Sequence, residues 1–383
     1  PNDLACSINR LMSVVFPTPG GPVISTLSIA PVINGRRLIN ALRLRHVVEE
    51  EIRKVVASGR SSIAITIPKK WVSALGIDVG SYVLLRFMGD HVAVVPLGRS
   101  MRDSGVSNVV DVDRDNPDYV LRKLITQYLR GVDEVRVRFN GFIGIKGVVK
   151  DLVRERISGA EVIEEGSDYV VFRFVTPTPE VPIKRLLNRM VLTVLGMLKD
   201  SLDMLRGSAV EPEDIIDRDN EVDRLYLLIE RLVMMGITDQ SVLSKLGANS
   251  SRELVNSLMV SKSIERAGDH AWRIAQIIGE ASRMCCKLGE LPIVDSIVEL
   301  GLNSADILRE AVMSFINGDI NDAMEVLDRR TVMRGKSLDV IKSIYGSGLH
   351  VDIGGRLMMI VESIRRVSEY SYDIAEITLD TYG

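Results

Sequence analysis

Between Ile264 and Ala275 the chain reads Ile-Glu-Arg-Ala-Gly-Asp-His-Ala-Trp-Arg-Ile-Ala, which sets two acids, Glu265 and Asp269, four residues apart inside an apolar pattern. Apolar residues recur at Leu254, Leu258, Ile264, Ala267, Ala271, Ile274, Ile277 and Ile278, a helical period, so the acids border a buried seam. On a helix this spacing stacks the two side chains on one face, about 5 to 6 Å apart at Cβ. Like charges so placed destabilise unless a cation or a basic partner lies between them. Whatever fold forms must supply that compensation.

The surrounding sequence is helical. Thr176-Pro-Thr-Pro-Glu-Val-Pro182 marks a boundary, and behind it helices are expected over about Ile183 to Leu205, Pro212 to Met235, Arg252 to Met284, Pro292 to Ile316, Ile320 to Tyr345 and Ile353 to Tyr382. Gly207, Gly236, Gly289, Gly318 and Gly346-Ser-Gly348 separate them. Arg266 to Ala275 aligns with Arg366 to Ala375 at a constant offset of 100 residues, the mark of a duplication with repeats at about 183–285 and 290–383.

The Ile264 to Ala275 stretch resembles the helix signature of PhoU-family phosphate-uptake regulators. The resemblance implies an all-α bundle of two three-helix repeats, with a metal site built from acid pairs four apart on neighbouring helices. Here Asp219-Asn-Glu-Val-Asp223 on the second helix is such a pair, so the ligand set implied is Asp219, Asp223, Glu265 and Asp269. All-oxygen ligands suit magnesium, manganese or iron better than zinc. His270 follows Asp269 directly, about 100° around the helix, and is expected to pack or to support rather than to ligate. The competing reading is ordinary ion pairing, with Arg218, Arg224 and Arg266 close enough in sequence to neutralise the acids. In the second repeat Arg365 stands at the position of Glu265, Glu369 matches Asp269 and pairs in spacing with Asp373, and the stretch near Arg329 to Met333 lacks acids. An arginine is expected to replace the ion's charge there.

The N-terminal half differs. Residues 1–47 carry the breaker cluster Phe16-Pro-Thr-Pro-Gly-Gly-Pro22 without periodicity, and are expected to be an unstructured arm or a spurious extension of a protein starting near Val47 or Val48. From Arg53 the pattern is strand, turn, strand (Ser62 to Ile67), short helix from Pro68 to Leu75, strand (Tyr82 to Phe87), turn and strand (His91 to Pro96). That succession, with Ile65-Thr-Ile-Pro-Lys-Lys-Trp-Val72 and Gly76-Ile-Asp-Val-Gly80, resembles the swapped-hairpin DNA-binding module of the SpoVT/AbrB and MazE type. The resemblance implies a β-barrel closed by two chains, hence a homodimer, over about 48–100.

Charge agrees: between Ile52 and Arg99, Arg53, Lys54, Arg60, Lys69, Lys70, Arg86 and Arg99 face only Asp78 and Asp90, in a chain of net charge −3. Arg53, Lys54, Arg60, Lys69 and Lys70 are the DNA-contact candidates, with Lys69 and Lys70 the pair that best matches the module. Residues 101–176 read as a small α/β connector, with a helix from Asp115 to Leu129, a strand from Glu134 to Phe139, a helix from Ile145 to Ile157, and strands at Ala160 to Ile163 and Asp168 to Val175.

The expected fold is therefore multidomain α+β. At 383 residues two or three domains fit, and 46% hydrophobic with 26% charged residues is ordinary for a soluble chain. Cys6, Cys285 and Cys286 make neither a disulfide framework nor a zinc site, and a reducing cytoplasm is expected. The most apolar windows, such as Met190 to Leu198, fall short of a bilayer span. No serine, cysteine or histidine sits in a nucleophile context and no glycine-rich phosphate loop appears, so an enzyme is not expected. The whole combination resembles archaeal regulators that fuse these modules. It implies a transcriptional regulator of phosphate uptake that senses phosphate status through a metal or through a partner, such as a phosphate transporter ATPase or sensor protein. The alternative is a transporter-associated signalling adaptor that uses the barrel only to dimerise.

Overall fold

The computed structural model describes residues 50–58, 62–87, 92–96, 108–175, 181–283 and 288–383. The expected extension over 1–47, Arg60, Arg99, the turn at 88–90, residues 176–180 of the boundary and the three cysteines lie outside the described residues. The chain divides into two compact units, Pro1–Asp103 and Ser104–Gly383.

In the first unit β1 (Val55–Ala57) pairs antiparallel with β2 (Ile63–Ile65), and β3 (Val83–Phe87) with β4 (Val92–Pro96). Between them α1 (Lys69–Leu75) opens behind Pro68 and closes on Gly76, whose φ of 61° is left-handed geometry that costs glycine nothing. The element order is the one expected, but the two hairpins form separate two-stranded sheets and no barrel closes among the described residues of a single chain. Ile52, Ile63, Ile65, Val79, Tyr82 and Leu85 are consequently exposed.

The second unit begins with a four-stranded sheet in the order β5-β6-β8-β7. β5 (Val109–Asp111) runs parallel to β6 (Glu134–Arg138), while β8 (Tyr169–Phe174) is antiparallel to β6 and to β7 (Ala160–Glu165). β5 went unrecognised in the sequence because three residues are too few to show alternation. Asn116 caps α2 (Pro117–Leu129) by accepting from the Tyr119 amide, with Pro117 preset for the first turn. Together with α3 (Lys146–Arg156), α2 covers a core of Val120, Leu124, Tyr128, Val135, Phe139, Val149, Phe172 and Phe174. On the sheet, Arg138 forks onto Asp111, and Arg136 pairs with Glu164 over the Tyr169 ring.

The helical part is built from α4 (Ile183–Leu205), α5 (Pro212–Thr238), α6 (Gln240–Lys245), α7 (Ser251–Arg283), α8 (Ile293–Asn317), α9 (Ile320–Asp328), α10 (Arg330–Gly346) and α11 (Val351–Tyr382). α7 lies at its centre, packed on α4, α5 and α11, and one continuous core joins both repeats. Two details depart from six plain helices. A short α6 is added, and the helix expected from Ile320 to Tyr345 is broken at Arg329, whose ψ of −12° interrupts the ladder. At this break Arg329 reaches Glu310 while Arg330 reaches Glu369 and Glu376. A periodicity of apolar residues carries no sign of it. Among the described residues no helix is long and apolar enough to cross a membrane.

Connector and bundle are joined by one buried cation. Arg231 of α5 is fully buried; its guanidinium donates to the carbonyls of Tyr128 and Val132 and to Asp133, and stacks near the Tyr128 and Phe174 rings. Replacing it strands two carbonyls in an apolar setting and leaves a cavity. Arg231→Ala is expected to lower the unfolding free energy by about 3 kcal/mol. Urea denaturation followed by circular dichroism measures this; a loss under about 1 kcal/mol would show that the contact is not structural.

Candidate metal centre

Where α5 passes α7, the structure brings three of the four expected acids together. One carboxylate oxygen from each of Asp223, Glu265 and Asp269 lies within 4.8 Å of the other two. Asp219, one turn earlier on α5, stands outside that group at its edge, its Oδ1 placed 3.7 Å from where a Cβ on Gly268 would be. Gly268 makes this closeness feasible, because the same Cβ would also meet Val194 at 3.3 Å and Val222 at 3.6 Å. The glycine thus lets α4 and α5 approach the turn of α7 that carries the acids.

Compensation within the chain is incomplete. Lys262 Nζ holds Glu265 Oε1 at 2.7 Å, one turn away on the same helix, and Arg156 reaches Asp223 at 3.4 Å from the end of α3. Glu265 is itself buried, and its other oxygen, Oε2, has no hydrogen-bond partner. Asp219 is pushed up to about 7, first by burial and then by Asp223, Asp269 and Glu265. Asp269, at the solvent edge, is pushed up to about 6 by burial, Glu265 and Asp223. Asp223 is raised by burial and Glu265, against the pull of Arg156. Four carboxylates facing three cations, Lys262, Arg156 and Arg266, with one buried oxygen unanswered, form a donor set that fits a hard or intermediate cation. A cleft of about 360 Å³, walled by Leu121, Arg122, Leu152, Arg156, Tyr226 and others, opens onto Asp223 and Glu265.

Of the basic partners anticipated from sequence, Arg266 acts on Asp269 through its charge, while Arg218 and Arg224 engage other groups. Arg218 pairs with Asp200 at 2.7 Å, Arg224 lines a different cleft, and Arg266 lies near the Tyr370 ring. Adjacent residues on a helix diverge by about 100°, so proximity in sequence to Asp219, Asp223 or Glu265 did not place these guanidinium groups beside them. Arg156 was missed because it comes from the connector. Lys262 had a signal, its i,i+3 spacing to Glu265. His270 is directed away from the acids, packs by the Tyr370 ring, and is held low, at about 4, by burial and by Arg273 and Arg366.

In the second repeat the protein balances Glu369, while Asp373 is raised by burial and by Glu376. Glu369 is held by Arg330 at 3.1 Å and by Arg365 at 3.4 Å; Arg365 also binds Glu362, and Arg330 also binds Glu376. The expected arginine at position 365 is joined by one from the break before α10.

Of the DNA-contact candidates, Lys69 and Lys70 sit exposed on the first turn of α1, Lys54 is exposed just before β1, and Arg53 pairs with Glu51 at 2.7 Å. Arg60 lies outside the described residues.

Asp219 and Asp269 bind protons more tightly in the folded chain than the usual aspartate value near 4 of an unfolded one. The metal-free fold therefore loses stability as pH rises from about 4 to about 7. Asp219→Asn removes part of that loss. In chelator the variant is expected to melt at least about 3 °C above wild type at pH 8 and level with it at pH 4. Equal melting at both pH values would contradict the charge crowding.

Comparison with known proteins finds the PhoU domain over residues 187–278 and the MazE domain, described as antidote-toxin recognition, bacterial antitoxin, over residues 56–101. Among solved structures the chain is similar to PhoU from Pseudomonas aeruginosa, at 16% identity and TM-score 0.45, covering 51% of this chain and 93% of that one. It is also similar to the phosphate transport system regulatory protein PhoU from Streptococcus pneumoniae, at 16% identity and TM-score 0.40, covering 52% and 97%. No curated protein matches the chain.

Proposed function

We propose that this chain, which carries a PhoU domain behind a MazE-like module, is a regulator of phosphate transport that couples a metal-binding helical bundle to DNA. The observation that supports the bundle's role is the incompletely balanced negative charge gathered at Asp223, Glu265 and Asp269, where Glu265 Oε2 has no hydrogen-bond partner. These three, with Asp219 beside them, would hold magnesium, manganese or iron, and the ion would supply the positive charge that the seam lacks. The acids serve binding and signalling; no substrate is turned over. Elemental analysis of purified protein is expected to find bound metal, and Glu265→Gln to lower its content at least about tenfold at equal protein. Metal-free wild type would refute this part.

For the module, the supporting observation is its uncovered apolar surface. Ile52, Ile63, Ile65, Tyr82 and Leu85 would sit in water in a lone chain, and so short a segment cannot enclose a core alone. A second copy covers them and brings two sets of Lys69 and Lys70 to one duplex. The module belongs in the cytoplasm, where DNA and the inner face of a transporter are both within reach. DNA from the promoter of a phosphate transporter is expected to bind in a mobility-shift assay. Lys69→Ala/Lys70→Ala should weaken binding across sequences and flatten the log–log salt slope by about 3 to 4, as four phosphate contacts are lost from a dimer. Unchanged binding and slope would instead favour an adaptor that dimerises through the module and acts on a transporter ATPase or sensor protein.

A further inference from the structure

A second cleft, of about 480 Å³, lies between the end of α3, the start of α4 and the middle of α5. Four arginines line it: Arg154 from α3, Arg185 and Arg189 from α4, and Arg224 from α5. The single acid among the described residues of the lining, Glu221, is engaged by Arg189. Among the described residues, Arg154, Arg185 and Arg224 form no ion pair. Their neighbours behave differently: Arg156 pairs with Asp223, Arg206 with Asp295 and Arg218 with Asp200. Three like charges are gathered from three helices without an internal partner.

We infer that this cleft binds a small phosphate-bearing anion carrying two or more negative charges. The guanidinium fork matches phosphate oxygens two at a time, and arginine is favoured over lysine where such planar recognition is needed. The volume falls within the range of small-molecule sites, about 300 to 1,000 Å³. Ile157, Leu186, Leu225 and Leu228 form an apolar wall that reduces screening of the charges above it. Among the described residues no aromatic side chain lines the cleft, so recognition falls on the phosphate groups and not on a stacked base. The concave shape suits a compact anion rather than the length of a nucleic-acid strand. The site is separate from the acidic cluster, and the inference holds whether or not that cluster takes a metal.

The test is calorimetric titration of the full-length, chelator-treated protein with orthophosphate, pyrophosphate, ATP and sulfate, and with duplex DNA as competitor. Pyrophosphate or ATP is expected to bind more tightly than sulfate, and orthophosphate places inorganic against organic sources. Arg185→Gln/Arg224→Gln should weaken binding about 100-fold or more, since each charge-assisted bond contributes roughly a tenfold factor or better. Glu221→Gln frees Arg189 and should tighten binding about three- to tenfold, a gain that a misfolded variant could not produce. Absence of binding by wild type at millimolar anion would overturn the inference. So would equal affinity in the arginine double variant, sulfate binding as tight as pyrophosphate, or displacement by DNA alone. A matching loss in Glu265→Gln would move the ligand to the acidic seam and overturn it as well.

Discussion

Negative charge crowded where α5 crosses α7 sets the terms for the structure around it. Burial and mutual repulsion raise Asp219, Asp223 and Asp269 above their ordinary range, and Lys262, Arg156 and Arg266 offset this only in part. Gly268 brings the helices close enough for the repulsion to matter. A chain selected for stability alone would have separated these groups or matched each with a guanidinium. It does so a hundred residues later, where Arg330 and Arg365 enclose Glu369. The two repeats keep one fold and treat charge differently: in one, two arginines hold Glu369, and in the other, Glu265 Oε2 has no hydrogen-bond partner.

Much of this was legible in the sequence, for a physical reason. Helices that bury one face must repeat apolar residues near every third and fourth position, and they stop at glycines such as Gly318, whose φ of 71° closes α8. The acid pairs were visible because four-residue spacing fixes their common face. What escaped notice was contact between distant segments. Arg156 lies 67 residues from Asp223, and Arg330 lies 39 from Glu369; no local period records either partnership. The arginine cleft was invisible for the same reason, since Arg154, Arg185 and Arg224 belong to three different elements. Sequence also proposed Arg218 and Arg224 as neutralising partners on grounds of nearness alone, and helix geometry turned them away.

The first unit presents the complementary problem. Its strands alternate clearly enough to be read, yet the apolar side chains they carry stay exposed in one chain. Hairpins of three and five paired residues cannot bury both faces by themselves. The alternation therefore marks an apolar face that one chain leaves exposed, whereas the connector encloses Tyr128, Phe139, Phe172 and Phe174.

The placement of β5 gives the connector a mechanical character. This three-residue edge strand is the first described element of the second unit; β6 is its one neighbour in the described sheet, and Lys123 of α2 donates to its Asp111 carbonyl. Tension on the backbone ahead of Val109 would enter through that short parallel ladder and the Arg138–Asp111 fork, pass along β6, and arrive at Val132 and Asp133, where Arg231 grips the chain. The weakest link on this load path is the ladder at the edge and the strongest is the guanidinium at the end. A tug would peel β5 before it shifted any helix of the bundle.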